Sequence, residues 1–243
     1  MVSIFKKLGP GLLFAGAAIG VSHLVQSTRA GADFGYGLIW ALLLVNIIKY
    51  PFFQFGPRYA MATGESLLEG YKRLGKGILA VYYILNLGTM FTIQAAVTAV
   101  TAGIAARLLG VDANMWVSVI IALFCFAVLW RGRYGWLDKS MKIIVLVLSI
   151  STLVAVLFAL GQNTDVPIVQ RLPENTMEWT FLIAFMGWMP GPMDISVWHS
   201  VWAIEKKKIN PSASLASSLF DFNIGYLVTL VLGLCFIVLG ATV

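Results

Sequence analysis

Two long apolar stretches of the 243-residue chain hold ionisable side chains beside residues that interrupt helices. The first runs Gly16-Ala17-Ala18-Ile19-Gly20-Val21-Ser22-His23. The second runs Met186-Gly187-Trp188-Met189-Pro190-Gly191-Pro192-Met193-Asp194, with His199 further on. A carboxylate deep in apolar surroundings is costly and by default marks the path of an ion, a proton or a substrate, which singles out Asp194. Imidazole binds first-row transition metals and exchanges protons near neutral pH, which singles out His23. A thioether such as Met193 or Met189 is a soft ligand that favours a transition metal over magnesium or calcium.

His23, Asp194 and Met193 are therefore the candidate metal ligands, and His199, Asn86 and Gln94 the candidates for a polar or proton pathway. Plainer roles stay open for each: an interhelical hydrogen bond for His23, His199, Asn86 or Gln94, a helix cap for Asp194, gap filling for the methionines.

The backbone around these residues points the same way. Gly16 or Gly20 can end one half-helix, and Ser22 is placed to cap the next. Pro190 and Pro192 each remove a donor and clash with the preceding turn, so the helix breaks around Gly191. Bare N–H and C=O groups survive at membrane depth only where they are buried in protein or line a polar cavity. Paired broken helices in two halves of a chain are the sequence pointer to the binding site of a secondary transporter. The expected substrate site is Gly20, Ser22, His23, Gly191, Met193 and Asp194.

The elements carrying these residues are membrane spans. The chain is 59% hydrophobic and 12% charged, with a mean hydropathy of +0.86, so it reads as an integral membrane protein in a lipid bilayer. About seven apolar runs are long enough to cross: 9–30, 37–56, 78–104, 114–130, 142–161, 179–202 and 223–243. Their lengths fit helices and not the short alternating strands of a barrel, so the fold class is an all-α polytopic membrane protein. Most of the 17 basic residues fall on one side. Lys6 and Lys7 precede the first span, Arg58, Lys72, Arg73 and Lys76 follow the second, Arg131, Arg133, Lys139 and Lys142 follow the fourth, and Lys206 to Lys208 follow the sixth. That side is expected to be cytoplasmic, with the N-terminus inside and the plasma membrane as host. Lys49 reads as a residue snorkelling to the inner surface, and Asp221 as the inner edge of the seventh span.

The outer loop 162–178 divides the chain into 1–165, a first five-helix repeat, and 166–243, the start of a second. Spans 1 and 6 then run in opposite directions, as an inverted five-plus-five repeat requires. Ten spans are not present, which reads as a truncated chain.

Other classes fit less well. The basic residues form no module outside the membrane, so nucleic acid is not an expected partner. The seventh span lacks a lysine for a retinal Schiff base, which disfavours a light-driven pump. No serine or cysteine nucleophile has a supporting partner, so an enzyme is not expected, nor is a resident cofactor. Cys125 and Cys235 lie within spans and read as packing residues. The leading reading is a secondary transporter of a divalent metal cation, manganese- or iron-like or magnesium, with a possible coupling ion. The alternatives are a carrier of a small organic solute and a non-transporting half-protein.

Several segments resemble the Nramp family of divalent-metal transporters: Gly9-Pro10-Gly11, Arg29-Ala30-Gly31-Ala32-Asp33-Phe34-Gly35-Tyr36, Leu38-Ile39-Trp40-Ala41, Arg58-Tyr59 through Gly64-Glu65-Ser66-Leu67, and His199-Ser200. The resemblance implies a leucine-transporter-like inverted repeat with metal held between unwound helices 1 and 6. It also exposes departures. Where the family has Asp-Pro-Gly-Asn, this chain has Gly20-Val21-Ser22-His23. The family's Met-Pro-His aligns with either Met189-Pro190-Gly191 or Pro192-Met193-Asp194, and the third span lacks the acids of the family's proton route.

Overall fold

A computed structural model describes residues 8–112, 114–132, 134–161 and 166–242. Lys6, Lys7 and Arg133 of the basic segments, and Asp165 at the expected repeat boundary, lie outside the described residues. The described chain is helical: α1 Pro10–Ala18, a π-helical segment Val21–Ser27, α2 Thr28–Phe34, α3 Ile39–Thr63, α4 Leu67–Leu74, α5 Lys76–Leu109, α6 Met115–Arg131, α7 Tyr134–Leu160, α8 Thr176–Trp188, α9 Ile195–Ile209 and α10 Leu215–Thr242.

Pro10–Phe34, Ile39–Thr63, Lys76–Leu109, Gly135–Leu160 and Leu215–Thr242 are long and apolar enough to cross a membrane. With the 17-residue α6 and the broken pair α8 and α9, they account for the seven expected spans. The helices overrun the apolar runs on the basic side. Segment 58–77, between the second and third apolar runs, is largely helical: α3 continues to Thr63, and α4 follows. Local chemistry sets several ends. Asn114 accepts from the N–H groups of Trp116 and Val117, and Asn175 from that of Glu178, which caps α6 and α8. Gly64 (φ 77°) and Gly110 (φ 67°) stop α3 and α5 in the left-handed conformation that glycine adopts without a Cβ clash.

The chain forms two units, Met1–Glu69 with Asp138–Val243, and Gly70–Leu137. In the second, α5 packs on α6, and large apolar side chains such as Leu108 and Trp130 stay exposed, as lipid-facing residues do. In the first, α10 packs along α1, the π segment, α2 and α3, while α9 packs on α3 and α1.

Association in a bilayer relies on close packing of small residues, and the chain supplies them in facing pairs. A methyl group on Gly11 would run into the backbone of Asp221, one on Gly225 into that of Gly11, and one on Gly240 into that of Thr28. Met141 and Val145 of α7 lie against Gly16. The aromatic rings of Phe14, Phe53, Phe222 and Tyr226 fill the centre between α1, α3 and α10.

Asp221, read as the inner edge of the seventh span, is not an exposed end group. It lies inside α10, 2% exposed, and its two carboxylate oxygens accept from the N–H groups of Gly9 and Gly11 at 2.9 Å each. The start of α1 leaves N–H groups without helical partners and carries the positive end of the helix dipole, so a carboxylate is the fitting cap.

Candidate functional site

The first span breaks where its glycines fall. The last turn of α1 closes on Ile19, the Gly20 N–H turns back to the Ala18 carbonyl at 2.9 Å, and the chain resumes in the wide π-helical turns from Val21. Such turns concentrate at functional positions because they shift the backbone register and expose carbonyls. A Cβ on Gly20 would meet nothing within 4 Å, so unfilled space adjoins the break. Ser22 does not cap the following half-helix as expected. It lies within the π segment, and its hydroxyl reaches back to the Ala18 carbonyl at 2.5 Å.

The sixth span breaks at the expected residues. The α8 helix ends at Trp188, Met189 is extended, Pro190 to Met193 lie outside helix, and α9 starts at Ile195. The two breaks meet. Ser22 Oγ lies 3.4 Å from the Pro190 carbonyl oxygen, and a Cβ on Gly191 would touch Ala18 at 3.5 Å. Proline at 190 cannot continue the helix, the segment at Gly191 lies in contact with α1 at Ala18, and the Ser22 hydroxyl sits between the Ala18 carbonyl, which the Gly20 N–H also reaches, and the Pro190 carbonyl.

His23 is fully buried, with both ring nitrogens engaged: Nδ1 with Ser22 Oγ at 2.7 Å and Nε2 with the Thr229 carbonyl at 2.9 Å. A carbonyl only accepts, so Nε2 carries a proton. A neutral ring then leaves Nδ1 as an acceptor for the single Ser22 proton, which the Ala18 carbonyl also calls for. A doubly protonated ring would satisfy all three contacts, so the geometry has room for one more proton than the neutral site holds.

Asp194 stands at the head of α9 but makes no side-chain capping bond, and its Oδ1 is buried without a hydrogen-bond partner. Met193 is 69% exposed, whereas Met189 is fully buried. His199 is fully buried among Phe14, Trp202 and Phe222, with no partner for either nitrogen. Asn86 and Gln94 belong to the Gly70–Leu137 unit and bond within α5, to Tyr82 and Thr98. The structure thus brings Gly20, Ser22, His23 and Gly191 to one locus. Among the described residues, no group of three or more His, Cys, Asp or Glu side chains is arranged to enclose a metal.

Two contributors lay beyond sequence reasoning. Thr229 offers its carbonyl to His23, and its own hydroxyl donates to the Tyr226 carbonyl, while the Tyr226 hydroxyl donates to the Asn46 carbonyl at 2.6 Å. Lys49 does not snorkel; its ammonium donates to the carbonyls of Met186, Gly187 and Met189 at the broken end of α8. Nothing local marks the pairings of Thr229 with His23, of Tyr226 with Asn46 or of Lys49 with α8, which join residues more than a hundred positions apart.

The chain matches the family model of natural resistance-associated macrophage protein-like (Nramp) proteins over residues 11–243. It belongs to the Nramp family. An uncharacterised protein of Pasteurella multocida is 38% identical over 247 residues, which cover 99% of this chain and 57% of that protein. The divalent metal cation transporter MntH of Verminephrobacter eiseniae is 29% identical over 90 residues, 36% of this chain and 20% of that one. A mutant of the Eremococcus coleocola manganese transporter superposes over all of this chain and 52% of its own with a TM-score of 0.68 at 16% identity. The chain thus spans about half the length of such relatives. Over the part it covers, this Nramp chain has the expected leucine-transporter-like fold, with spans 1 and 6 broken.

Proposed function

We propose that this Nramp chain belongs to a secondary transporter that moves a divalent metal cation by alternating access, with the cation held between the breaks of spans 1 and 6. The observation that carries the reading is the meeting of Ala18, Ser22, Pro190 and Gly191, where backbone carbonyls outside regular helix and a hydroxyl adjoin open space beside Gly20. Carbonyls at broken half-helices are the acceptors from which carriers of this kind build cation sites. Asp194, with a buried and unpaired oxygen, supplies the anionic ligand. His23 joins when Ser22 turns aside, and a thioether from Met193 or Met189 completes a set suited to manganese- or iron-like ions.

In this reading residues 1–165 form the first five-helix repeat and 166–243 open the second. The basic segments face the cytoplasm, the host is the plasma membrane, and the protein's work is transport and not catalysis. The spare proton position at His23 makes a proton the candidate coupling ion.

A second reading has a small organic acid as substrate. The lack of a metal-enclosing cluster among the described residues favours it, and the substrate's carboxylate would meet the N-terminal end of α9. Uptake into liposomes loaded with a metal-quenched dye separates the two. Concentration-dependent quenching by manganese, iron or cobalt supports metal transport; no response to these or to magnesium, with counterflow of a labelled organic acid, supports the second.

A further inference from the structure

Lys49 sits in the third turn of α3, a lysine in the apolar part of a membrane span. Its ammonium makes three short contacts, to the carbonyl oxygens of Met186 (2.9 Å), Gly187 (2.9 Å) and Met189 (2.7 Å). The Met186 and Gly187 carbonyls belong to the last turn of α8 and lack helical donors because Pro190 cannot continue the helix, and Met189 is the extended residue that follows it. These carbonyls lie at the negative end of the α8 dipole. Three converging backbone carbonyls at a broken half-helix are the kind of cage in which a carrier takes a monovalent cation. A primary ammonium has three protons and no acceptor, so all three of its donors match this cage.

We propose that Lys49 is a tethered cation, filling with the protein's own side chain the carbonyl cage at the end of α8 where an exchangeable alkali cation would otherwise bind. Two consequences follow. The group that fills this cage is covalently tethered, so no alkali cation is needed to complete the break of span 6. The Met186, Gly187 and Met189 carbonyls are also closed to the transported ion while Lys49 is in place, which leaves the Ala18–Ser22–Pro190 side of the break as the open one. The proposal concerns an alkali-cation cage and stands apart from which substrate the protein carries.

The test is thermal unfolding of the detergent-purified protein at constant ionic strength in choline, sodium, potassium or ethylammonium chloride. The unaltered protein should show the same midpoint in all four. Lys49→Ala, which vacates the cage, should unfold several degrees lower in choline, and sodium, potassium or ethylammonium should raise its midpoint saturably. Lys49→Ser leaves similar space and serves as the second variant. Recovery of either variant only when purified with one of these cations counts as the expected result. The proposal is overturned if the variants respond to the cations no more than the unaltered protein does, or if neither can be recovered under any of the four conditions.

Discussion

The hydroxyl of Ser22 stands 3.4 Å from the carbonyl oxygen of Pro190, so the interruptions of two spans 168 residues apart in sequence share one polar bridge. The same hydroxyl bonds the Ala18 carbonyl and touches His23 Nδ1. One small polar side chain thereby ties the end of α1, the start of the π segment and the break of span 6.

Ser22→Ala removes that bridge while leaving the backbone path intact. A typical net hydrogen bond contributes about 1 kcal/mol, and the Ala18 carbonyl keeps the Gly20 N–H as a donor, so the variant should be destabilised by about 1 kcal/mol. It should also lose metal affinity by a larger factor than Ser27→Ala. Ser27 is buried too, but its hydroxyl reaches only the Ser22 carbonyl, at 3.5 Å. Parallel thermal unfolding and metal titration of the two variants check this; equal losses would contradict it.

Asp221 holds the start of α1 from across the fold. Asp221→Ala leaves the Gly9 and Gly11 N–H groups buried and unpaired, which costs on the order of 3 kcal/mol for the pair. Asp221→Asn keeps one acceptor oxygen and should lose less. Denaturation in mild detergent should rank the proteins as unaltered, then Asn, then Ala; an Asn variant no better than Ala would contradict the capping role.

Glycines differ in what they permit. Gly225→Ala forces a methyl group into the backbone of Gly11 and should prevent α10 from docking on α1, seen as loss of monodisperse protein in size-exclusion chromatography. Gly88→Ala, in α5 with nothing within 4 Å of the new methyl, should be neutral or stabilising by up to about 1 kcal/mol from helix propensity. Equal behaviour of the two would argue against the close approach of α1 and α10.

The protonation pattern of His23 is fixed by its neighbours. Because the Thr229 carbonyl can only accept, nitrogen-15 NMR of the labelled protein should find His23 protonated at Nε2, as the neutral tautomer or with both nitrogens protonated. His199, with no partner for either nitrogen, is not so constrained. A neutral His23 carrying its proton on Nδ1 would contradict the geometry.

Much of this fold was legible because the bilayer leaves a chain few options. Twenty-residue apolar runs must be helices, and Pro190, Gly191 and Pro192 within one of them must break it. The break near Gly20 was legible for the same reason, glycine being the residue that frees backbone there. Side-chain partnerships were less so. Lys49 resembled a snorkelling lysine because its position along α3 is apparent in sequence and the carbonyls of α8 are not. Asp221 reads as the inner edge of the seventh span, but its partners, the N–H groups of Gly9 and Gly11, lie about 210 residues away and leave no mark in the local sequence. Ser22 was read as a forward cap from residue type, but the π-helical turn redirected its hydroxyl backward.

Binding of manganese by the purified protein, followed through the loss of the free-ion paramagnetic resonance signal, tests the site between the two breaks most directly. The account predicts saturable binding of one ion per chain, with affinity at least tenfold weaker in Asp194→Ala and in Gly20→Val, which fills the space beside the break, and unchanged in Gly88→Ala. No saturable binding by the unaltered protein, or binding that survives both site substitutions, would contradict it.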